Sequence, residues 1–138
     1  MGLLKHVLLP GFGLLHAVAA YACSDLQGWG KMVGLKEDTV DKDTSENSLL
    51  RQNHMLGALR GFNIAMMLLC GTGVLKESAH FRGQVLLAEA TLFGVTTIDA
   101  FRLGTLNYWV PLAQTVIATA GVIINSMEPG IFTKDKNA

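Results

Sequence analysis

The chain has 138 residues, of which 50% are hydrophobic and only 16% are charged. A typical soluble domain carries about 25% charged residues, so the composition argues against an ordinary soluble domain. Eleven Lys and Arg residues balance eleven Asp and Glu residues, which excludes a basic nucleic-acid-binding surface as the default function. The two cysteines, Cys23 and Cys70, form neither a CxxC motif nor a zinc-ligand spacing and predict no disulfide scaffold.

Four apolar stretches follow one another along the chain, at residues 3–23, 55–75, 83–103 and 108–127. Each has about 20 residues, which as a helix rising about 1.5 Å per residue crosses a hydrocarbon layer of about 30 Å. Too little polar sequence remains to cover all four in water. We therefore predict an all-α integral membrane four-helix bundle, a single domain over residues 1–138 with one longer extramembrane loop at 24–54.

The first stretch has a second interpretation, because Lys5 precedes an apolar run that ends in small residues near Ala20. This order is typical of a cleavable secretory signal. Pro10 and His16 interrupt the run, which favours a first helix that is retained. We therefore expect an uncleaved first span.

The links between the apolar stretches indicate where the second helix begins and how neighbouring helices are oriented. Asp43 and Glu46 have the spacing of a helix start, so the second helix is expected to begin near Thr44. The short links at 76–82 and 104–107 predict antiparallel neighbours. Lys and Arg residues divide five to each side, which leaves the orientation undecided. The predicted location is the endoplasmic reticulum or the mitochondrial inner membrane, with a bacterial inner membrane as a third alternative.

Two opposite charges inside the spans are predicted to pair. Arg60 lies nineteen residues before Ala79, the centre of the turn between the second and third stretches, and Asp99 lies twenty residues after it. In an antiparallel hairpin the two side chains reach the same depth. Because charges within a membrane usually meet other charges, we predict an ion pair between Arg60 and Asp99.

Further polar residues are expected near the same depth. His16 and Gln114 join Arg60 and Asp99 in a polar layer, and Asn63 lies one turn deeper. The preferred interpretation is hydrogen bonding between helices. The alternative is a polar pocket in which His16 exchanges a proton, Asp99 acts as a base and Arg60 holds an anionic group.

Glu89 is predicted closer to the opposite membrane face, with Lys5, His6 or Asn125 as its partners. Glu89 and Asp99 share one face of their helix, so the two acids could act together as an acid/base pair. The preferred alternative is that each is satisfied separately. Gly57 and Gly61 form a G-x-x-x-G motif that predicts close helix packing.

One segment resembles a known family. The run Leu59-Arg60-Gly61, continued through the apolar residues 62–70 to Gly71, Gly73 and Lys76, resembles the arginine–glycine–lysine pattern that opens many small four-helix membrane proteins of the DoxX-like kind. In those proteins the pattern lies on the first helix, whereas here it lies on the second. The resemblance implies a compact four-helix membrane bundle and structural importance for Arg60.

No reaction-specific motif occurs, so the first functional hypothesis is a small accessory or scaffold subunit that packs against partner membrane proteins in the lipid bilayer. The alternative is a membrane-embedded acid/base enzyme, such as an isomerase, cyclase or epoxide hydrolase, that acts on a lipophilic small molecule. A third hypothesis is a carrier for a lipid, quinone or pigment. No cofactor, metal or nucleic acid is predicted. The enzyme hypothesis names as catalytic His16, Arg60, Glu89 and Asp99, and as ligand-binding Asn63, Gln114 and Asn125.

Overall fold

The residues that the structure describes form four long helices. The computed structural model describes residues 2–24, 45–76, 78–104 and 107–127, and these contain no β-strand. Their bounds are Leu9–Ala22 for α1, which continues from a π-helical turn at Leu4–Leu8, Glu46–Leu75 for α2, Ala79–Leu103 for α3 and Trp109–Ser126 for α4. The all-helical prediction is therefore confirmed for the described residues.

The helix ends follow from local chemistry. Ser45 caps α2, because its hydroxyl oxygen accepts a hydrogen bond from the Ser48 amide. Ser78 caps α3 in the same way, with Oγ 3.2 Å from the amide nitrogen of Phe81. Gly104 ends α3 with a φ of 65°, a left-handed conformation that glycine adopts without a steric penalty.

The four helices are each long and apolar enough to cross a membrane. Two of them extend beyond the predicted apolar stretches. α2 starts at Glu46, close to the helix start predicted near Thr44, which itself lies outside the described residues, so residues 46–54 of the predicted loop are helical. α3 starts at Ala79 rather than at residue 83, because Ser78 supplies its cap. The start of α3 was predicted too late because its first turn is polar and does not resemble a membrane span.

The helices pack as two pairs, α1 on α2 and α3 on α4, which meet at a shared apolar core. The core residues are Leu4, Leu9, Phe12, Cys70, Val85, Leu86 and Ala118. Gly121 on α4 allows the closest approach. A Cβ atom there would lie 2.5 Å from a Leu8 methyl carbon and 3.2 Å from a Leu86 methyl carbon, so only glycine fits without displacing its neighbours.

The α2–α3 turn marks one end of the bundle, here called the turn end. The start of α1, the end of α2, the start of α3 and the end of α4 meet there. The outward surface is rich in large apolar side chains, including Leu14, which is 67% exposed, and Val116, which is 60% exposed. Such a surface is unfavourable in water but matches the hydrocarbon of a bilayer.

Candidate functional site

A buried polar cluster joins three helices at the centre of the bundle. It consists of His16 on α1, Asn63 and Cys70 on α2, and Glu89 on α3. His16 Nε2 lies 3.0 Å from both carboxylate oxygens of Glu89, and His16 Nδ1 lies 2.7 Å from Asn63 Oδ1. The Cys70 thiol donates to Glu89 Oε1 at 3.3 Å. His16 is 2% exposed and Glu89 is fully buried, so water does not compete for these bonds.

The position along each helix explains why these side chains meet. His16, Asn63 and Glu89 each lie 10 to 12 residues from the turn end of their helix. At about 1.5 Å per residue this is a depth of about 15–18 Å, near the middle of a hydrocarbon layer about 30 Å thick. Gly13, one turn before His16, packs against α2 here, and a Cβ at this position would lie in van der Waals contact with the Cβ of Cys70 at 3.4 Å.

The surroundings of the cluster are apolar. The Phe93 ring on α3 stacks on the His16 ring with centroids 6.1 Å apart and on the Phe12 ring at 6.0 Å. The imidazole plane lies within 17° of the plane of the Phe93 ring. In such surroundings the polar groups of the cluster gain most by bonding to one another.

The hydrogen bonds determine where the protons lie. Asn63 Nδ2 donates to the carbonyl oxygen of Leu59 at 2.8 Å, so Asn63 Oδ1 is the acceptor that faces His16. His16 Nδ1 therefore carries a hydrogen, and one further proton is shared between His16 Nε2 and Glu89. The pair is either imidazolium with carboxylate or neutral imidazole with carboxylic acid. Both forms carry no net charge, which keeps the cost of burial in a membrane low.

The predicted ion pair between Arg60 and Asp99 is absent from the described residues, and both side chains are exposed. Burial raises the pKa of the Cys23 thiol, and the positive charge of Arg60 opposes that shift. Arg60 therefore lies towards the end of α1, whereas Asp99 lies on α3. The two residues do not lie at equal depth, because Arg60 is fifteen residues from the end of α2 and Asp99 is twenty residues from the start of α3, a difference of about 7 Å along the helices. The predicted layer is not formed, since Gln114 is half-buried on α4 and bonds to no other member.

The partners predicted for Glu89 also differ from those observed. Neither Lys5, His6 nor Asn125 contacts it among the described residues. Asn125 instead donates from Nδ2 to the Ala79 carbonyl oxygen at 2.9 Å, at the turn end. The early start of α3 places Glu89 ten residues inside its helix, which is deeper than the six residues counted from position 83.

Cys70 belongs to the cluster but was not predicted from the sequence as a site residue. One signal was present, because Cys70 follows Asn63 by seven residues and so lies on the same face of α2, two turns further on. Gly57 and Gly61 were predicted to allow close helix packing. A Cβ at either position would meet nothing within 4 Å, so neither glycine is in close contact with another described helix of this chain.

No group of three or more His, Cys, Asp or Glu side chains among the described residues is arranged to hold a metal ion. Comparisons with protein-family models, with curated proteins and with solved structures find no match to the chain. The resemblance to DoxX-like proteins therefore stays a prediction.

Proposed function

We propose that this protein is a small integral membrane accessory subunit that packs against a partner membrane protein through the outward face of α2. The observation that carries the proposal is the exposed side chain of Arg60. It lies fifteen residues from the end of α2, at a depth of about 22 Å from the turn end and inside a candidate span. The proposal covers a membrane of the endoplasmic reticulum, the mitochondrial inner membrane or a bacterial inner membrane.

Arg60 is an unusual residue for a lipid-facing position. An arginine costs about 2.5–3.5 kcal/mol at the centre of a span, and Arg60, about 7 Å past the centre, costs less than this. Within a span an arginine normally faces a bundle interior or pairs with an acid. Within the described parts of the chain, Arg60 has no ion-pair partner. A carboxylate on the helix of another protein would satisfy its planar guanidinium with two hydrogen bonds.

The surface beside Arg60 suits a helix partner. Gly57 and Gly61 leave open space on the outward side of α2, and Ala65 continues the same row one turn later. Small residues at this spacing let two helix backbones approach closely in a membrane. The small residues that allow close packing therefore lie next to Arg60, whose charge needs a partner, on the same helix.

The polar cluster supports the same proposal. Both ring nitrogens of His16 and both oxygens of Glu89 have partners inside the protein. A cluster satisfied in this way fastens α1 and α2 to α3 and leaves no donor or acceptor directed at a substrate. Its role in an accessory subunit is to fix the shape of the docking face.

The test is extraction of the tagged chain from its native membrane in mild detergent, followed by native mass spectrometry. We expect a stoichiometric partner with the wild type. Arg60→Gln and Gly61→Leu should lose this partner, whereas the matched variants Arg102→Gln and Gly11→Leu should keep it. Arg102 is an exposed arginine at the end of α3, and Gly11 is an exposed glycine of α1 that has nothing within 4 Å of its Cβ position. A monodisperse protein without any partner contradicts the proposal.

A second candidate function is the acid/base enzyme, and the proton shared by His16 and Glu89 favours it. These are two of the four residues named as catalytic by the sequence. The test is incubation of the purified protein with a lipid extract of its source membrane, analysed for converted compounds by mass spectrometry. Glu89→Gln should abolish any conversion, and a turnover that survives this change removes Glu89 from the mechanism.

A further inference from the structure

An open apolar groove runs along the outside of the bundle between α2 and α3. It has a volume of about 510 Å³ and is lined by Phe62 and Met66 on one side and by Leu87, Ala88 and Leu92 on the other. This volume lies within the range of about 300–1,000 Å³ that is usual for ligand sites. The groove exists because α2 and α3 pack less extensively on each other than on α1 and α4, respectively.

The depth of the groove places it in the membrane. Its lining on α3 extends from Gln84 to Leu92, which is 5 to 13 residues from the start of α3 at the turn end. At about 1.5 Å per residue this is a depth of about 8–20 Å. In a hydrocarbon layer about 30 Å thick, the groove therefore extends from one half of the bilayer to just past its centre. Any occupant that enters from the side must therefore be apolar at this level.

The groove is open to the side and does not enclose an occupant. Its apolar lining follows α3 over the about 12 Å of helix from Gln84 to Leu92. A hydrocarbon chain of a lipid can lie along this lining without displacing either helix.

The end of the groove nearest the membrane surface is polar and basic. Gln84, which lines the groove, is hydrogen-bonded from Nε2 to His80 Nε2 at 3.1 Å, one turn nearer the turn end. The exposed Lys76 lies just before α3, with Nζ 5.2 Å from the centre of the Phe81 ring. Lys76 and His80 are exposed at this end, whereas Arg82 is buried and donates to the carbonyl oxygen of Lys76.

From this arrangement we propose that the α2–α3 groove binds the acyl chains of an anionic lipid whose phosphate lies against Lys76 and His80. The chain region meets an apolar lining, and the headgroup meets cationic and hydrogen-bonding side chains at the depth of the membrane surface. The site is separate from the outward face of α2 proposed for a protein partner. Either proposal can therefore fail without the other.

The test uses the full chain reconstituted in vesicles of equal parts phosphatidylglycerol and phosphatidylcholine, then extracted gently for native mass spectrometry. We expect phosphatidylglycerol to be retained preferentially. Ala88→Phe and Thr91→Phe fill the groove from exposed positions and should lower this retention, whereas Val116→Phe, on the outward surface of α4, should not. Lys76→Gln should lower the preference for phosphatidylglycerol about fivefold, since one lysine near an anionic surface contributes about 1 kcal/mol.

Three results would overturn the proposal. The first is equal retention of both lipids by the wild type, which removes the headgroup site. The second is unchanged retention by both groove-filling variants with native helix content and elution volume, which places the lipid elsewhere. The third is a crosslink from Ala88→Cys to a second copy or to another protein in native membranes, which shows that a helix occupies the groove.

Discussion

His16 Nε2 lies 3.0 Å from both carboxylate oxygens of Glu89, on helices that are 73 residues apart in the sequence. This bond ties the α1–α2 pair to the α3–α4 pair at the middle of the bundle. Asn63 fixes the other ring nitrogen of His16, so the proton between His16 and Glu89 is the one mobile proton of the pair. The four side chains of the cluster remain neutral as a group, which suits a position inside helices that are apolar enough to cross a membrane.

Replacement of Glu89 by leucine should destabilise the bundle by about 1–3 kcal/mol, because His16 and Cys70 would lose their buried acceptor. Glu89→Gln should cost less, since an amide can still bond to the imidazole. Unfolding in detergent with increasing dodecyl sulfate, followed by circular dichroism, measures both changes. Thr91→Ala is the control, because Thr91 is exposed and its hydroxyl donates to Leu87 of its own helix. Equal stability of the leucine variant and the wild type would show that the cluster contributes nothing.

The hydrogen-bond pattern predicts that His16 Nδ1 carries a hydrogen in every populated form. Nitrogen NMR of histidine-labelled protein distinguishes protonated from unprotonated ring nitrogens. Asn63→Leu should remove this preference and allow the hydrogen to move to Nε2, because the acceptor for Nδ1 would be lost. His80 in the same spectra is the internal control, since Asn63 is not among its partners. An Nδ1 without hydrogen in the wild type contradicts the arrangement.

Gly121→Ala should destabilise the protein by about 1–3 kcal/mol, because its Cβ would overlap the side chains of Leu8 and Leu86. Gly71→Ala adds the same methyl group where nothing lies within 4 Å. The second change should leave stability unchanged or raise it by up to about 1 kcal/mol, because alanine favours the helix. The two midpoints of unfolding in detergent, measured side by side, check this difference. Equal midpoints would mean that α4 is not packed as closely as described.

Both cysteines should react slowly with maleimide in the folded protein, because Cys23 is 2% exposed and Cys70 is 1% exposed. A cysteine introduced by Leu75→Cys should react fast, since Leu75 is 83% exposed.

Burial raises the pKa of Cys23, so its labelling should begin to increase only above the pH at which an ordinary thiol ionises. The same shift favours the folded protein below the ordinary thiol pKa, and this contribution is lost as the pH rises through the raised value.

Arg60→Gln should slow the labelling of Cys23 further, because the positive charge of Arg60 lowers the pKa of this thiol. The initial rate of labelling, measured at a fixed pH above neutrality, checks the effect. Arg102→Gln is the matched change, and Arg102 is not among the groups that act on Cys23. A faster reaction of Cys23 in the Arg60 variant would contradict the placement of Arg60 near the end of α1.

The prediction for Arg60 and Asp99 shows the limit of counting along the sequence. Counted from the helix ends that the structure shows, Arg60 lies fifteen residues and Asp99 twenty residues from the turn end, so their depths differ by about 7 Å. Both side chains are exposed, and pairing also needs two side chains that face each other. The partner of Glu89 was missed for a related reason. The polar first turn of α3, capped by Ser78, moves Glu89 deeper than an apolar window indicates.

The sequence by itself determined four long apolar helices, their order and the approximate limits of each. These properties depend on composition and on local signals, such as the serine caps and Gly104, that act within a few residues. Only the tertiary structure decided which polar side chains meet. The rotation of each helix about its axis is set by close packing, as at Gly13 and Gly121, and that rotation brings His16 to Glu89 while it leaves Arg60 on the surface.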